Sequence, residues 1–263
     1  MFSDELGGLE QDVTFAQEQT RDALAADAPT SSHELAGLAD AFMSKIHMHL
    51  ITSRLLAAQH HKISTLVSPK QSETFTDGRT CLYELATYTA EDCRAFCISK
   101  NSEAPEVRVT RAFPGQGGGF STSAVIMEGH IHFIFMELLK NSMKAMLDRY
   151  GSNILDAPPI EVMLSGQGNE LGIKVSDTGG GIPASHRHRA MDFFYTTHVE
   201  REANYTYSKD FGAKFTGYGV GLPMARLYAR IAGGDLGLSV LPGHGTDAIL
   251  VINRHGTGPI PDE

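Results

Sequence analysis

The chain has 263 residues, enough to bury one large hydrophobic core or two modest ones. Its 41% hydrophobic and 20% charged residues are typical of an ordinary globular protein. The net charge of −9 argues against nucleic acid or an anionic membrane as the main partner. No apolar run approaches the ~20 residues that a membrane span needs.

The cysteines and the start of the chain bear on the compartment. Cys81, Cys93 and Cys97 cannot form a complete disulfide set, which indicates a reducing compartment. We interpret Cys93 and Cys97 as small buried hydrophobic residues. The acidic opening MFSDELGGLEQD has no feature of a signal or transit peptide, so we expect a cytosolic protein or a sequence without its targeting segment.

The N-terminal part of the chain predicts a helical domain over residues 1–104. Helices are expected over residues 9–26, 34–63 and 81–100, with a loop over residues 66–80. In the long second helix, apolar and small residues recur every three or four positions, which is typical of a helix bundle. Its predicted inner stripe is Leu35, Leu38, Phe42, Ile46, His49, Ser53, Leu56, His60 and Ile63.

Residues 105–263 predict a second domain of the α+β class. Strands are expected over five segments, with a hairpin connection at residues 166–169. These predicted strands are residues 106–113, 160–165, 171–177, 235–241 and 248–253. Together with helices over residues 132–148 and 224–232, they predict a mainly antiparallel sheet with helices on one face.

The helix over residues 132–148 is apolar around most of its circumference and carries one polar stripe. The stripe consists of Glu137, Lys140, Asn141, Lys144 and Asp148. Glu137 could accept a proton, and the amide oxygen of Asn141 suits a hard cation such as Mg²⁺. The alternative is a solvated helix face with an ordinary Glu137–Lys140 ion pair.

Two glycine segments lie downstream. Asp177 ends a predicted strand and is followed, after Thr178, by Gly179, Gly180 and Gly181, which leave room for a ring whose exocyclic amine could donate to the carboxylate. The alternative is a common Asp-Gly turn.

The second segment, TGYGVGLP at residues 216–223, precedes a predicted helix, so its backbone N–H groups suit phosphates, with Lys140 and Lys144 nearby. The alternative is a flexible linker. We interpret the polar segment before it, residues 200–215, as a mobile lid.

Taken together, ELLKN at residues 137–141, DTGGG at residues 177–181 and GYGVGL at residues 217–222 resemble the ATP-binding boxes of the Bergerat-fold superfamily. The segments GYGVGLPMARLYARIAGGDL and GHGTDAILVI resemble more closely the mitochondrial protein kinases that act on pyruvate dehydrogenase or branched-chain α-ketoacid dehydrogenase. The fold implied is a partial helical bundle followed by a Bergerat-type α/β sandwich.

This resemblance implies a role for each matching residue. Glu137 would be the general base, with His60 on the helical-domain side of the active site, and Asn141 would bind Mg²⁺. Asp177 would contact adenine, with Thr246 assisting through water. The remaining residues implied to contact ATP are Lys140, Lys144, Gly179, Gly181, Thr196, Thr197, Gly217, Tyr218, Gly219, Val220, Gly221 and Leu222.

The resemblance also implies a serine kinase in the mitochondrial matrix that acts on the E1 component of an α-ketoacid dehydrogenase complex, and we expect a homodimer. The matching sequence begins well inside the family's helical domain, so we expect much of the surface for the lipoyl domain of E2 to be missing. The short segment after Asn253 favours the branched-chain type and RLYAR favours the pyruvate type, which leaves both open. A histidine kinase and a nucleotide-binding scaffold are the alternative functions.

Overall fold

A computed structural model describes residues 37–53, 79–112, 121–196 and 219–255. The chain divides into two compact units, residues 1–54 and residues 55–263. The described part of the first unit is one helix, α1, over residues 37–53. The predicted helix over residues 9–26 lies outside the described residues.

The predicted inner stripe of helix α1 is wrong where it can be compared. Leu38 and Phe42 are 68% and 62% exposed, and His49 and Ser53 are also exposed. The buried side chains are instead Met43 and Ile51. Apolar residues spread over more than half of this helix's circumference, so their spacing alone does not fix which face is buried. Of the other predicted members, Ile46 is half-buried, and Leu35, Leu56, His60 and Ile63 lie outside the described residues.

The second unit begins, among the described residues, with a short strand and a long helix. Strand β1 (Arg79–Cys81) occupies the end of the predicted loop, and helix α2 (Leu82–Asn101) confirms the helix predicted over residues 81–100. The helix ends at Ser102, whose φ of 68° is left-handed. Strand β1 pairs antiparallel with a second short strand, β3 (Ser123–Val125), which the sequence pattern did not predict. Three residues are too few to display a period of two.

A five-stranded sheet forms the centre of this unit. Its strands are β2 (Val107–Arg111), β4 (Ile160–Gln167), β5 (Glu170–Ser176), β6 (Asp235–Leu241) and β7 (Gly245–Asn253), in the order β2-β4-β5-β7-β6. Only the β2–β4 pair in this sheet is parallel, which confirms the predicted antiparallel character. Val162 lies opposite Val175, which in turn lies opposite Ala248, so small and branched side chains face the core in register.

Helices α3 (Glu128–Tyr150) and α5 (Gly221–Ile231) pack on the sheet, with the one-turn helix α4 (Ala184–Arg187) and a 3₁₀ segment (Gly151–Asp156) between them in the chain. Helix α3 buries a wide apolar face in the core. Its buried apolar side chains are Ile131, Ile134, Phe135, Leu138, Leu139, Met143 and Met146. Helix α2 contributes to the same core, and the domain division proposed between residues 104 and 105 stays a prediction.

Within the ranges of the chain that the structure covers, no helix combines the length and apolar character that crossing a membrane requires.

Burial alternates along β7, which predicts that substitutions at neighbouring residues lower the free energy of unfolding by very different amounts. Leu250 is fully buried, whereas its neighbour Ile249 is 43% exposed on the opposite face. Leu250→Ala should lower the free energy of unfolding by about 2–5 kcal/mol, because it leaves a cavity in the core. Ile249→Ala should cost less than about 1 kcal/mol. Thermal unfolding of the two variants checks this, and equal losses would contradict the assigned faces.

Candidate functional site

Glu137, in the polar stripe of α3, lies against the first turn of α5. Glu137 forms an ion pair with Lys140, and each side chain is only 14% exposed. The predicted ion pair therefore exists, but it does not lie on an ordinary solvated helix face. Lys144 is half-buried, and Asn141 and Asp148 are exposed. The stripe thus passes from a largely buried carboxylate to an accessible amide one turn later.

Gly221 allows this close approach of the two helices. A Cβ added to Gly221, the first residue of α5, would overlap Oε2 of Glu137. Val220 provides no side-chain cap for this helix, so the first N–H groups of α5 are not capped by the residue before them. The partial positive charge at a helix N-terminus favours a carboxylate at this place. Glu137 therefore lies between an ammonium group and a helix dipole.

Asp177 follows β5 directly and is 9% exposed. Its Oδ1 accepts hydrogen bonds from the backbone N–H groups of Gly179 at 2.9 Å and Thr246 at 3.3 Å. Its Oδ2 accepts a hydrogen bond from the Ser142 hydroxyl at 3.1 Å. Burial raises the pKa of the Asp177 carboxyl above its ordinary value, and the three hydrogen bonds oppose that shift.

The loop after Asp177 is pressed against α3. A Cβ on Gly179 would overlap the Cβ and the backbone of Ala145, so only glycine fits without moving the helix. The guanidinium of Arg149 donates to the carbonyl groups of Thr178 at 2.7 Å and His244 at 2.6 Å. These contacts tie the loop to the β6–β7 turn.

Residues 186–196 include a contact to the described part of the second glycine segment. The N–H of Phe194 donates to the carbonyl of Gly219 at 2.8 Å, and Phe194 has a φ of 62°, which is unusual for a residue with a side chain. The Tyr195 hydroxyl contacts the His186 ring. The guanidinium of Arg189 lies 4.5 Å from the centre of the Tyr195 ring. Thr196 is half-buried at the end of this segment.

The structure brings together the predicted residues on α3, the two glycine segments and the start of β7. Glu137 contacts Lys140 and the position of Gly221, and Asp177 contacts Gly179 and Thr246. Thr246 reaches Asp177 through its backbone. Gly181 lies in the loop after β5 and Leu222 in the first turn of α5. His60, Thr197, Gly217 and Tyr218 lie outside the described residues, as do residues 200–215.

Sequence reasoning missed Ser142 and Arg149. Ser142 is only 6% exposed, and a serine on the mostly apolar side of a helix was the available signal for it. Arg149 stands in the last turn of α3, where a cation also favours the helix C-terminus, so nothing in the sequence pointed to the loop.

The accessible oxygen of Asn141 fits a hard cation. In the described ranges, no cluster of three His, Cys, Asp or Glu side chains could hold a metal ion. Water and a bound phosphate could supply the other ligands of an ion at Asn141, which is the usual arrangement for Mg²⁺.

Comparisons with known proteins agree with this geometry. Residues 127–255 match the family described as histidine kinase-, DNA gyrase B-, and HSP90-like ATPase. The chain is 31% identical over 223 residues to a mitochondrial pyruvate dehydrogenase (acetyl-transferring) kinase of Arabidopsis thaliana, which covers 84% of this chain and 59% of the relative.

Two further relatives are also named as mitochondrial pyruvate dehydrogenase (acetyl-transferring) kinases. The kinase of Ascaris suum is 32% identical, covering 80% of this chain and 52% of its own length. The human isozyme 4 is 32% identical, with 80% and 50% covered. The chain thus spans between half and three-fifths of the length of these relatives. Residues 127–255, which carry the site, thus belong to the histidine kinase-, DNA gyrase B-, and HSP90-like ATPase family, and the chain is similar to pyruvate dehydrogenase kinases over 80% or more of its length.

Proposed function

We propose that the chain is an ATP- and Mg²⁺-dependent protein serine kinase acting on the E1 α subunit of a mitochondrial α-ketoacid dehydrogenase complex, which it inactivates. The observation that carries the proposal is that one helix, α3, contacts both parts of the candidate nucleotide site. Helix α3 holds Glu137 against the first turn of α5 and, five residues later, contacts Asp177 through Ser142. Five residues along a helix are about 7.5 Å, so one rigid element sets the separation of the two carboxylates.

ATP would bind with its adenine amine on Asp177 and its phosphates near the uncapped start of α5. Lys140 and Lys144 would neutralise phosphate charge, and the segments at Gly179, Gly181, Thr196 and residues 219–222 would line the nucleotide. Asn141 would hold Mg²⁺, which when bound supplies charge neutralisation on the phosphate oxygens.

Glu137 would take the proton of the substrate serine hydroxyl as its oxygen forms a bond to the γ-phosphorus. The bond from that phosphorus to the bridging oxygen of ADP breaks in the same transfer, and ADP leaves with the bonding electrons. The largely buried position of Glu137 keeps this proton acceptor away from bulk water.

The relatives favour pyruvate dehydrogenase over the branched-chain complex as the target, since all three are named for pyruvate dehydrogenase. Their names also favour the mitochondrion. The outer face of the sheet partly exposes Met163, Ile249 and Val251, with Lys174 between Met163 and Ile249, and a homodimer stays an expectation. The lipoyl domain of E2 remains a proposed partner.

Transfer to E1 is the direct test. Incubation of the full chain with γ-labelled ATP, Mg²⁺ and purified E1 should put acid-stable label on E1 serine. Glu137→Gln should lower the labelling rate by ~10²-fold or more and leave ATP affinity within a few-fold, because only the proton acceptor is lost. Acid-labile label on the chain itself would instead indicate a histidine kinase. ATP binding without any label would indicate a scaffold.

Gly221→Ala tests whether the close approach to α5 sets the position of Glu137. The added Cβ would displace the flexible carboxylate, at little cost to the fold. We expect the rate of transfer to fall at least ~10-fold, with thermal stability almost unchanged. Gly129→Ala is the matched control, because Gly129 also lies in the first turn of a helix and has open space at its Cβ position. Equal rates for the two variants would contradict the positioning.

A further inference from the structure

The Ser142 hydroxyl makes a different kind of hydrogen bond from the threonine hydroxyls of α2. Thr87 and Thr89 of α2 donate to the carbonyl groups four residues earlier in their own helix, at 2.8 and 2.7 Å. This is the usual partner of a hydroxyl inside a helix. Ser142 instead donates out of α3 to the Asp177 carboxylate across the domain. A buried hydroxyl directed at a buried carboxylate is a specific placement.

The hydrogen bonds to the Asp177 carboxylate use all but one of its acceptor sites. A carboxylate has about four acceptor sites, two on each oxygen. Both sites of Oδ1 are used by the backbone N–H groups of Gly179 and Thr246. Ser142 uses one site of Oδ2. The described contacts therefore leave room for a single further donor, on Oδ2, and its direction depends on where the Ser142 hydroxyl holds that oxygen.

We infer that Ser142 is a positioning residue that makes this site selective for a base with an amino group over one with a carbonyl at the same place. The inference rests on the proposed nucleotide site. An adenine amine can donate to the remaining site of Oδ2. The 6-oxo group of hypoxanthine would face the carboxylate as a second acceptor and gain nothing from it.

A positioning role for Ser142 and a general role in stabilising the fold predict different effects on two ligands. Removing the hydroxyl frees Oδ2 to turn or to take up water, which weakens only a ligand that donates to it. A ligand without the amine never had that hydrogen bond, so its affinity should not depend on Ser142. A loosened fold would instead weaken both ligands alike. The ratio of the two affinities is therefore the informative quantity.

Calorimetric titration of the full chain with ADP and IDP in Mg²⁺ tests the inference. The unsubstituted chain should prefer ADP. Ser142→Ala should weaken ADP binding roughly tenfold and leave IDP within about twofold, because one hydrogen bond to a charged group is lost. Ser142→Thr, which keeps the hydroxyl, should restore most of the preference for ADP.

Ser176→Ala is the matched control. The Ser176 hydroxyl is buried one residue before Asp177, and it makes no hydrogen bond in the described structure. Its loss should change neither affinity by more than about twofold.

An unchanged ADP-to-IDP ratio in Ser142→Ala, or equal losses for both ligands, would overturn the role of Ser142 and leave the nucleotide site standing. If the unsubstituted chain bound neither ligand, the proposed function and this inference would both be wrong.

Discussion

The close approach of helix α3 to two backbone segments is the constraint on which the site depends. Ala145 allows no side chain at Gly179, and Glu137 leaves no space for one at Gly221. At Gly179 a larger residue would push the loop after β5 away from the helix, whereas at Gly221 it would displace the flexible Glu137 carboxylate. Because both positions are glycine, the loop after β5 and the start of α5 contact the same helix, which brings groups distant in sequence close together.

Placing polar groups there has an energetic cost that the surrounding structure offsets. Desolvation of Asp177 disfavours its ionised form, which is the direction of its pKa shift. Three hydrogen bonds, two of them from backbone, recover part of that free energy and also fix the plane of the carboxylate. The large apolar face of α3, with Phe135, Leu139 and Met143 fully buried, provides the packing that holds this arrangement.

Much of this could be predicted from the sequence. The period of α3 and the patterns of the five strands in the central sheet were predicted correctly, because each is a local signal that the fold does not override. The resemblance predicted that the two glycine segments and helix α3 form one nucleotide site, and the structure places Gly179 and Gly221 against that helix. The ion pair between Glu137 and Lys140 was also expected, although its low exposure was not.

Other features of the structure could not be predicted from the sequence, for physical reasons. The buried face of α1 was predicted wrongly because apolar residues cover more than half of that helix's circumference. Strands β1 and β3 were not predicted because they are too short to show a period. The partners of Ser142 and Arg149 are 35 and 95 residues away in the chain, at Asp177 and His244. A pattern within one helix carries no information on such a contact.

The most direct test of the account is a crystal structure of the full chain with Mg²⁺ and a non-hydrolysable ATP analogue. The account predicts the adenine amine within hydrogen-bonding distance of Asp177 Oδ2, with the γ-phosphate between Glu137 and the first turn of α5. Asn141 should be the protein ligand of the metal ion. A nucleotide bound on another face, or a base remote from Asp177, would contradict it.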